Sequence, residues 1–232
     1  MEPVILIIIN IIILIILKYI FKVNFKEIKN IDKNNKNEEL DNITKKLPED
    51  EIICKEILKK LKNEDVIIEK NEEYESCLYT VFNNKITLGK FTTNFIRIQT
   101  IAHECIHSIQ SKRILLSNFI VSNIYILYFL VLSILQIAGV NTYINITFPL
   151  LILLSMLQYL IRAYLENDAM TKAKYLAKEY IENTGECTKE EIEKLIEKYE
   201  EINKIGIPAT NFILATKNII KIIIFCIIIL IV

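Results

Sequence analysis

The chain of 232 residues has no tryptophan and only two histidines, and its five cysteines form no CxxC pair and no disulfide-framework spacing. Free thiols of this kind suit a reducing compartment. The sequence also lacks an excess of charge of either sign, because 28 basic residues balance 28 acidic ones. No global field therefore favours nucleic acid, and we exclude nucleic acid as a partner.

Both histidines belong to one short motif, His-Glu-x-x-His, at residues 103–107. Positions four apart share one face of an α-helix, so His103 and His107 can present two imidazole nitrogens to one metal ion. Zn²⁺, one per chain, is the metal that such ligands favour. Glu104 lies about 100° further around the helix, where it can act as a general base on a water at the metal.

The residues around this motif have the period of an α-helix, although so short a motif also arises by chance. Apolar residues at helical spacing predict a stripe that faces the core: Ile98, Ala102, Cys105 and Ile109. Cys105 is about 200° around the helix from His103, so we expect a buried thiol and not a ligand. The helical context favours a real metal site over an accidental match.

Apolar and charged residues are segregated along the chain, which predicts a mainly α membrane protein with about four transmembrane helices. Lysines follow the first apolar segment, and Lys112, Arg113 and Arg162 flank the second and third, so the polar regions are expected in the cytosol. The expected parts are an N-terminal anchor (1–22), a polar linker (23–47) of which residues 30–46 are expected to lack fixed structure, an α/β part with the motif helix (48–113), a transmembrane hairpin (114–161), a helical part (162–211) and a C-terminal transmembrane or interfacial helix (212–232).

The segment before the motif is the only one that predicts strands, at 66–69, 78–82 and 86–88, with a turn at Asn83-Asn84. One interpretation is a sheet edge that pairs with an extended peptide. The other is a small sheet that only braces the motif helix. The sequence favours neither.

A catalytic zinc needs one protein ligand beyond the two histidines, and without a third histidine it must be Cys, Asp or Glu. Glu166 is the best candidate, because it begins a helix just after the hairpin returns to the cytosolic side and precedes an alanine-lined face at Ala169, Ala173 and Ala177. Most other glutamates lie in lysine-rich, solvated runs. Asp168, only two residues on, is expected to face elsewhere.

These motifs together resemble the YugP-like neutral zinc metallopeptidases of bacterial membranes, which are of the gluzincin type. The resemblance covers the anchor, the motif helix with Gln110 three residues after it, the hairpin, and the segment from Glu166 to Ala169. The chain is more distantly similar to HtpX and the CAAX-type prenyl proteases. The resemblance implies a small zincin-like domain in which His103, His107 and Glu166 bind zinc and Glu104 is catalytic.

The sequence departs from these families at two positions. Ile106 stands where glycine commonly precedes the second histidine, and Met170 stands where HtpX-like enzymes have an acid four residues after the ligand glutamate. Tyr164 and Arg162 are suggested as oxyanion stabilisers only by their closeness in sequence to Glu166.

The sequence therefore predicts a multi-pass, membrane-embedded zinc endopeptidase, with lipid and a protein or peptide substrate as partners. One alternative is a non-catalytic membrane scaffold or regulatory protein that retains a metal site. A second, a transporter or channel component, is disfavoured because the predicted spans lack the charges that mark ion paths.

Overall fold

The computed structural model describes residues 2–34, 37–71, 73–74, 76–90 and 95–232, and it is mainly helical, at 76%. Eight helices and three strands lie in these residues, in the order α1 (Glu2–Ile20), α2 (Phe25–Asn34), α3 (Glu38–Thr44), α4 (Asp50–Lys60), β1 (Ile67–Lys70), β2 (Leu78–Thr80), β3 (Lys85–Leu88), α5 (Arg97–Ile109), α6 (Lys112–Ile137), α7 (Ile144–Thr184) and α8 (Lys189–Ile231).

The elements form two compact units. The first, here the apolar unit, comprises Met1–Val23, Arg113–Tyr164 and Pro208–Val232. The second, here the α/β unit, comprises Asn24–Lys112 and Leu165–Ile207. Each of the long helices α7 and α8 contributes residues to both units.

Four helices, α1, α6, α7 and α8, are long and apolar enough to cross a membrane, which confirms that part of the predicted fold. Many of the large apolar side chains of α1 and α6 are exposed, as expected where lipid and not protein covers an apolar surface. Inside the apolar unit, Phe148 and Phe225 stack at 6.1 Å within a small core that also contains Tyr125 and Leu151.

The α/β unit contains the sheet, whose strand order is β1-β3-β2. β3 pairs in parallel with β1 and antiparallel with β2, so β1 and β2 are the edges. Asn84 adopts a left-handed φ of 45° in the turn that the sequence predicts between β2 and β3.

The expectation that residues 30–46 lack fixed structure is wrong for the residues described, since α2 extends to Asn34 and α3 forms at Glu38–Thr44; residues 35 and 36 lie outside them. Asn37 caps α3 by accepting the backbone N–H of Leu40, and Leu40 and Ile43 are buried. Asp41 accepts the backbone N–H of Phe95, which precedes the motif helix. Polar composition concealed these buried positions because α3 exposes its charged residues and buries only one side.

The helical part of the α/β unit has the predicted alanine face and capping box, but Glu166 lies within α7 and does not begin a helix as the sequence suggested, because the apolar span continues into it without a break. The alanine-lined face of α7 is buried, and α7 ends at Thr184 before Gly185, whose φ is +69°. Thr188 and Glu191 form the predicted capping box at the start of α8 by reciprocal hydrogen bonds. Unlike the sequence expectation of separate soluble and apolar helices, α8 continues without interruption to Ile231.

Candidate metal centre

The motif helix α5 is held in the core by its apolar side. Ile98, Ala102 and Cys105 are fully buried as predicted, whereas Ile109, also expected to face the core, is 45% exposed. The Cys105 thiol lies 3.8 Å from the thiol of Cys54 in α4, on the buried side of the helix. Cys105 therefore packs as a small apolar side chain, as the sequence predicts.

Three side chains on α5 and α7 converge to form a candidate metal centre: His103, His107 and Glu166. The two histidine Nε2 atoms are 3.0 Å apart. Glu166 directs Oε2 toward His103 Nε2 at 3.4 Å and Oε1 toward His107 Nε2 at 3.8 Å. One ligand atom from each of the three residues lies within 4.8 Å of the others, so the structure brings together all three residues that the sequence suggested.

The spacing of these atoms fits a tetrahedral ion. With metal–ligand bonds of about 2.1 Å, ligand atoms around a tetrahedral centre stand roughly 3.4 Å apart. The two Nε2 atoms are 3.0 Å apart, and the distances from His103 Nε2 to Glu166 Oε2 (3.4 Å) and from His107 Nε2 to Glu166 Oε1 (3.8 Å) are close to that value. Two imidazoles and one carboxylate also match the three protein ligands of a catalytic zinc, which leave a fourth position for water or substrate.

Gln110, at the end of α5, orients one of the two histidines. Its amide nitrogen donates to the backbone oxygen of Leu165 and to Oδ2 of Asp168, both at 2.9 Å. The Leu165 backbone oxygen and the Asp168 carboxylate can only accept hydrogen bonds, so the Gln110 atom that faces them is the amide nitrogen. The amide oxygen of Gln110 therefore faces His107, and it lies 2.8 Å from His107 Nδ1. His107 therefore carries its proton on Nδ1, so Nε2 is the unprotonated nitrogen that could bind a metal.

Asp168 lies on the same helix as Glu166 and is joined to His107 of the metal centre through Gln110. Its Oδ1 also pairs with Lys172 at 2.6 Å. Burial alone would raise the pKa of Asp168, but the hydrogen bonds from Gln110 and Lys172 outweigh burial and hold that pKa below its usual value. The sequence shows both residues, Gln110 three after His107 and Asp168 two after Glu166, but not that they meet.

A second bridge joins the two ligand-bearing helices through α8. Asn203 accepts a hydrogen bond from Gln99 at 2.6 Å and donates one to the backbone oxygen of Met170 at 3.1 Å. Gln99 precedes His103 by one helical turn, and Met170 follows Glu166 by one turn. The buried Gln99 Oε1 has no hydrogen-bond partner in the part of the chain that the structure describes. Sequence reasoning did not identify this bridge.

Glu104 occupies the interface between α5 and the sheet. It is buried, and its Oε2 accepts the backbone N–H of Tyr79 at 2.6 Å. Tyr79 is the middle residue of β2, an edge strand, and pairs with Ile86 of β3. The predicted base is therefore tied to the backbone of an edge strand.

Tyr164 and Arg162, suggested as oxyanion stabilisers, belong to the apolar unit, whereas the metal centre lies in the α/β unit. Tyr164 is 58% exposed. Their assignment stays a prediction.

Comparison of the chain with protein-family models, with curated proteins and with solved structures finds no match. The likeness to the YugP-like metallopeptidases rests on the sequence motifs alone. The geometry around His103, His107 and Glu166 is therefore the main ground for a functional conclusion.

Proposed function

We propose that this chain is a membrane-embedded, zinc-dependent endopeptidase of the gluzincin type, with a zincin-like α/β unit that hydrolyses peptide bonds at the cytosolic membrane face. The observation that carries the proposal is the convergence of the His103, His107 and Glu166 ligand atoms within 4.8 Å, from two helices that are far apart in sequence. The donor set and its spacing suit a zinc ion with one open position.

A zinc ion bound there would polarise the scissile carbonyl and make a nearby water more acidic. The residues of the chain supply the remaining functions. His107 is oriented by Gln110, which keeps its Nε2 free of a proton. Glu104 takes a proton from the attacking water and delivers it to the nitrogen of the leaving amine.

The contact between Glu104 and Tyr79 supports β2 as the place where an extended substrate lies. A peptide that pairs with this edge strand would run past the carboxylate of Glu104, because that carboxylate already contacts the strand's backbone. Because the Tyr79 N–H is already bonded to Glu104, such a peptide would pair with the other backbone groups of β2, and the same contact also braces α5 against the sheet. A protein or peptide with an extended segment is therefore the proposed substrate class.

The four apolar helices support a multi-pass membrane protein. The basic residues that flank them, Lys18, Lys22, Arg113 and Arg162, support a cytosolic α/β unit by the positive-inside tendency. Membrane lipid is accordingly the second proposed partner.

The proposal is tested on the purified full-length chain in detergent. Zinc content is measured by mass spectrometry, and proteolysis by the release of fluorescence from labelled casein. We expect Glu104→Gln to retain zinc but lose cleavage, and Glu166→Ala to lose both zinc and cleavage. The matched control is Glu182→Gln on the same helix as Glu166. The carboxylate of Glu182 is exposed and pairs with Lys178, so this variant should behave as wild type.

Two outcomes would overturn the assignments. Unchanged zinc affinity in Glu166→Ala would remove Glu166 from the ligand set. Cleavage that persists in Glu104→Gln at the wild-type rate would show that another group is the base.

The alternative is a non-catalytic membrane scaffold that retains a metal site. One observation favours it, because a Glu104 that is buried and bonded to Tyr79 can serve solely to join α5 to the sheet. In that case wild-type protein binds zinc and cleaves no unfolded substrate, and Glu104→Gln lowers thermal stability alone.

A further inference from the structure

A single lysine stands within a layer of polar side chains in the apolar unit. Lys221 is half-buried in α8 and is followed by an uninterrupted run of apolar residues, 222–232. Throughout the apolar unit the only acidic residue is Glu2, in the first turn of α1. Lys221 forms no ion pair within the residues that the structure describes.

The side chains around Lys221 are tied together across three helices. Asn218 donates to the backbone oxygen of Ser155 at 3.1 Å and to Gln158 Oε1 at 2.7 Å. Gln158 in turn donates to the Ser122 hydroxyl at 3.4 Å, and the Tyr125 hydroxyl donates to the backbone oxygen of Asn218 at 3.3 Å. Each of these groups therefore has a neutral partner within the bundle.

The ammonium of Lys221 is less well compensated. Its Nζ donates to the backbone oxygen of Lys217 at 3.3 Å and lies 5.3 Å from the centre of the Tyr125 ring. An ammonium has three hydrogen-bond donors and a full positive charge. The carbonyl accepts only one of these donors, and neither the carbonyl nor the aromatic face carries the negative charge that would neutralise the ammonium. An ionisable group inside a membrane bundle is a candidate functional site whose partner has to be named, and Lys221 is an exception to the spans without charges that the sequence predicts.

Residue counting places this layer deep in a membrane that the helices cross. Tyr125 lies twelve residues after Arg113, or about 18 Å of helix, and Ser155 lies seven residues before Arg162, or about 10 Å. Half of the hydrocarbon core is about 15 Å. Lipid phosphate stays at the surface of that core, so the anion that best reaches Lys221 is one carried by another membrane-spanning segment.

We propose that Lys221 receives the carboxylate of an Asp or Glu in the membrane-spanning segment of a partner protein. A second copy of this chain cannot supply that carboxylate, because Glu2 lies at one end of α1 and not at its middle. The exposed side chains of Lys217, Ile220 and Ile224 leave this face of α8 open to a neighbouring helix. The proposal is independent of the peptidase activity.

The test uses the full-length chain in phosphatidylcholine vesicles, with two synthetic leucine-rich membrane-spanning peptides that differ only in a central Asp or Asn. Association is measured by energy transfer from a donor on the peptide to an acceptor on Cys187. We expect the Asp peptide to bind wild type at least about tenfold more tightly than the Asn peptide, because an ionised pair is stronger than a neutral one. Lys221→Met should abolish this preference, and Lys221→Arg should retain it.

Lys217→Met is the matched control, since Lys217 lies one turn away on the same helix but is exposed; it should keep most of the preference. Equal binding of the two peptides to wild type would overturn the proposal without any variant. Loss of the preference in Lys217→Met as complete as in Lys221→Met would also overturn it. If phosphatidylglycerol in the vesicles abolishes the preference, the lysine belongs to a lipid headgroup and not to a partner helix.

Discussion

The amide oxygen of Gln110 accepts the Nδ1 proton of His107 at 2.8 Å, while the amide nitrogen of the same side chain donates to Asp168. Gln110 and Asp168 are 58 residues apart in sequence. One side chain thus sets the tautomer of a candidate ligand on α5 and connects it to α7, which carries Glu166. Such outer partners determine how well a site is preorganised for its metal.

Replacement of Gln110 by Leu should weaken zinc binding by about 10- to 100-fold, because His107 loses the hydrogen-bond acceptor that holds its proton on Nδ1 and keeps Nε2 unprotonated. Zinc affinity is measured by competition with a chromophoric chelator, and the geometry is followed by the absorption spectrum of the Co²⁺ form. The control is Lys172→Met, which removes the other partner of Asp168 and leaves Gln110 in place. Equal effects of the two substitutions would show that Gln110 acts only on general stability.

Substitution of two glycines should have opposite effects on stability. A Cβ on Gly89 would stand 2.4 Å from the backbone oxygen of Ser76 and 2.6 Å from that of Tyr74. Gly89→Ala should therefore cost about 1–3 kcal/mol, because backbone oxygens must shift.

The Cβ that Gly206→Ala adds within α8 would lie 3.4 Å from Met170 Cε, an ordinary contact, so this substitution should stabilise by about 0.5–1 kcal/mol. Thermal unfolding in detergent measures the stability of both variants. A Gly89→Ala variant as stable as wild type would contradict the close approach of Gly89 to the backbone oxygens of Tyr74 and Ser76.

The buried guanidinium of Arg97 should be a major contributor to stability. It donates to Asp50 Oδ1 at 2.7 Å and to the backbone oxygens of Thr44, Leu47 and Pro48 at 2.8–3.0 Å. Arg97→Met should cost about 3 kcal/mol in chemical denaturation, since it leaves buried acceptors without a donor. The exposed pair of Lys85 with Glu69 is the comparison. Lys85→Met should cost less than about 1 kcal/mol, and a cost equal to that of Arg97→Met would contradict the argument.

Thiol reactivity should single out Cys187 in the α/β unit. Burial raises the pKa of Cys77 to about 12 and also raises that of Cys105, whereas Cys187 is half-exposed. Burial and the nearby Glu191 raise the pKa of Cys187 as well, so its labelling rate should climb about tenfold per pH unit through pH 7–9 as thiolate forms. Maleimide labelling followed by peptide mass spectrometry should find Cys187 modified first. Equal modification of Cys77 in the native protein would contradict its burial.

The same thiol tests the sidedness of the membrane segments. An impermeant maleimide added to intact cells should label Asn141→Cys in a Cys187→Ser background, because the positive-inside tendency predicts that the loop between α6 and α7 lies outside. The same reagent should not label Cys187 of the wild-type protein until the membrane is permeabilised. The reverse pattern would place the α/β unit outside the cytosol.

The candidate site was only partly predictable from the sequence. His103 and His107 are near each other because of helical periodicity alone, which local sequence specifies. The meeting of Glu166 with them followed from an argument about a hairpin that returns the chain to its starting side. The contact of Glu104 with Tyr79 was not foreseen, because it depends on how β2 packs against α5.

The amino-acid sequence by itself determined the apolar segments of the four long helices, the capping box at Thr188 and the buried alanine face of α7, since each depends on residues near one another along the chain. The tertiary structure decided the Gln110–Asp168 bridge, the partners of Asn203 and the folding of the polar segment that contains α3 into a helix. These contacts join elements far apart along the chain, and their free energy is gained only when packing brings the partners to within hydrogen-bond distance.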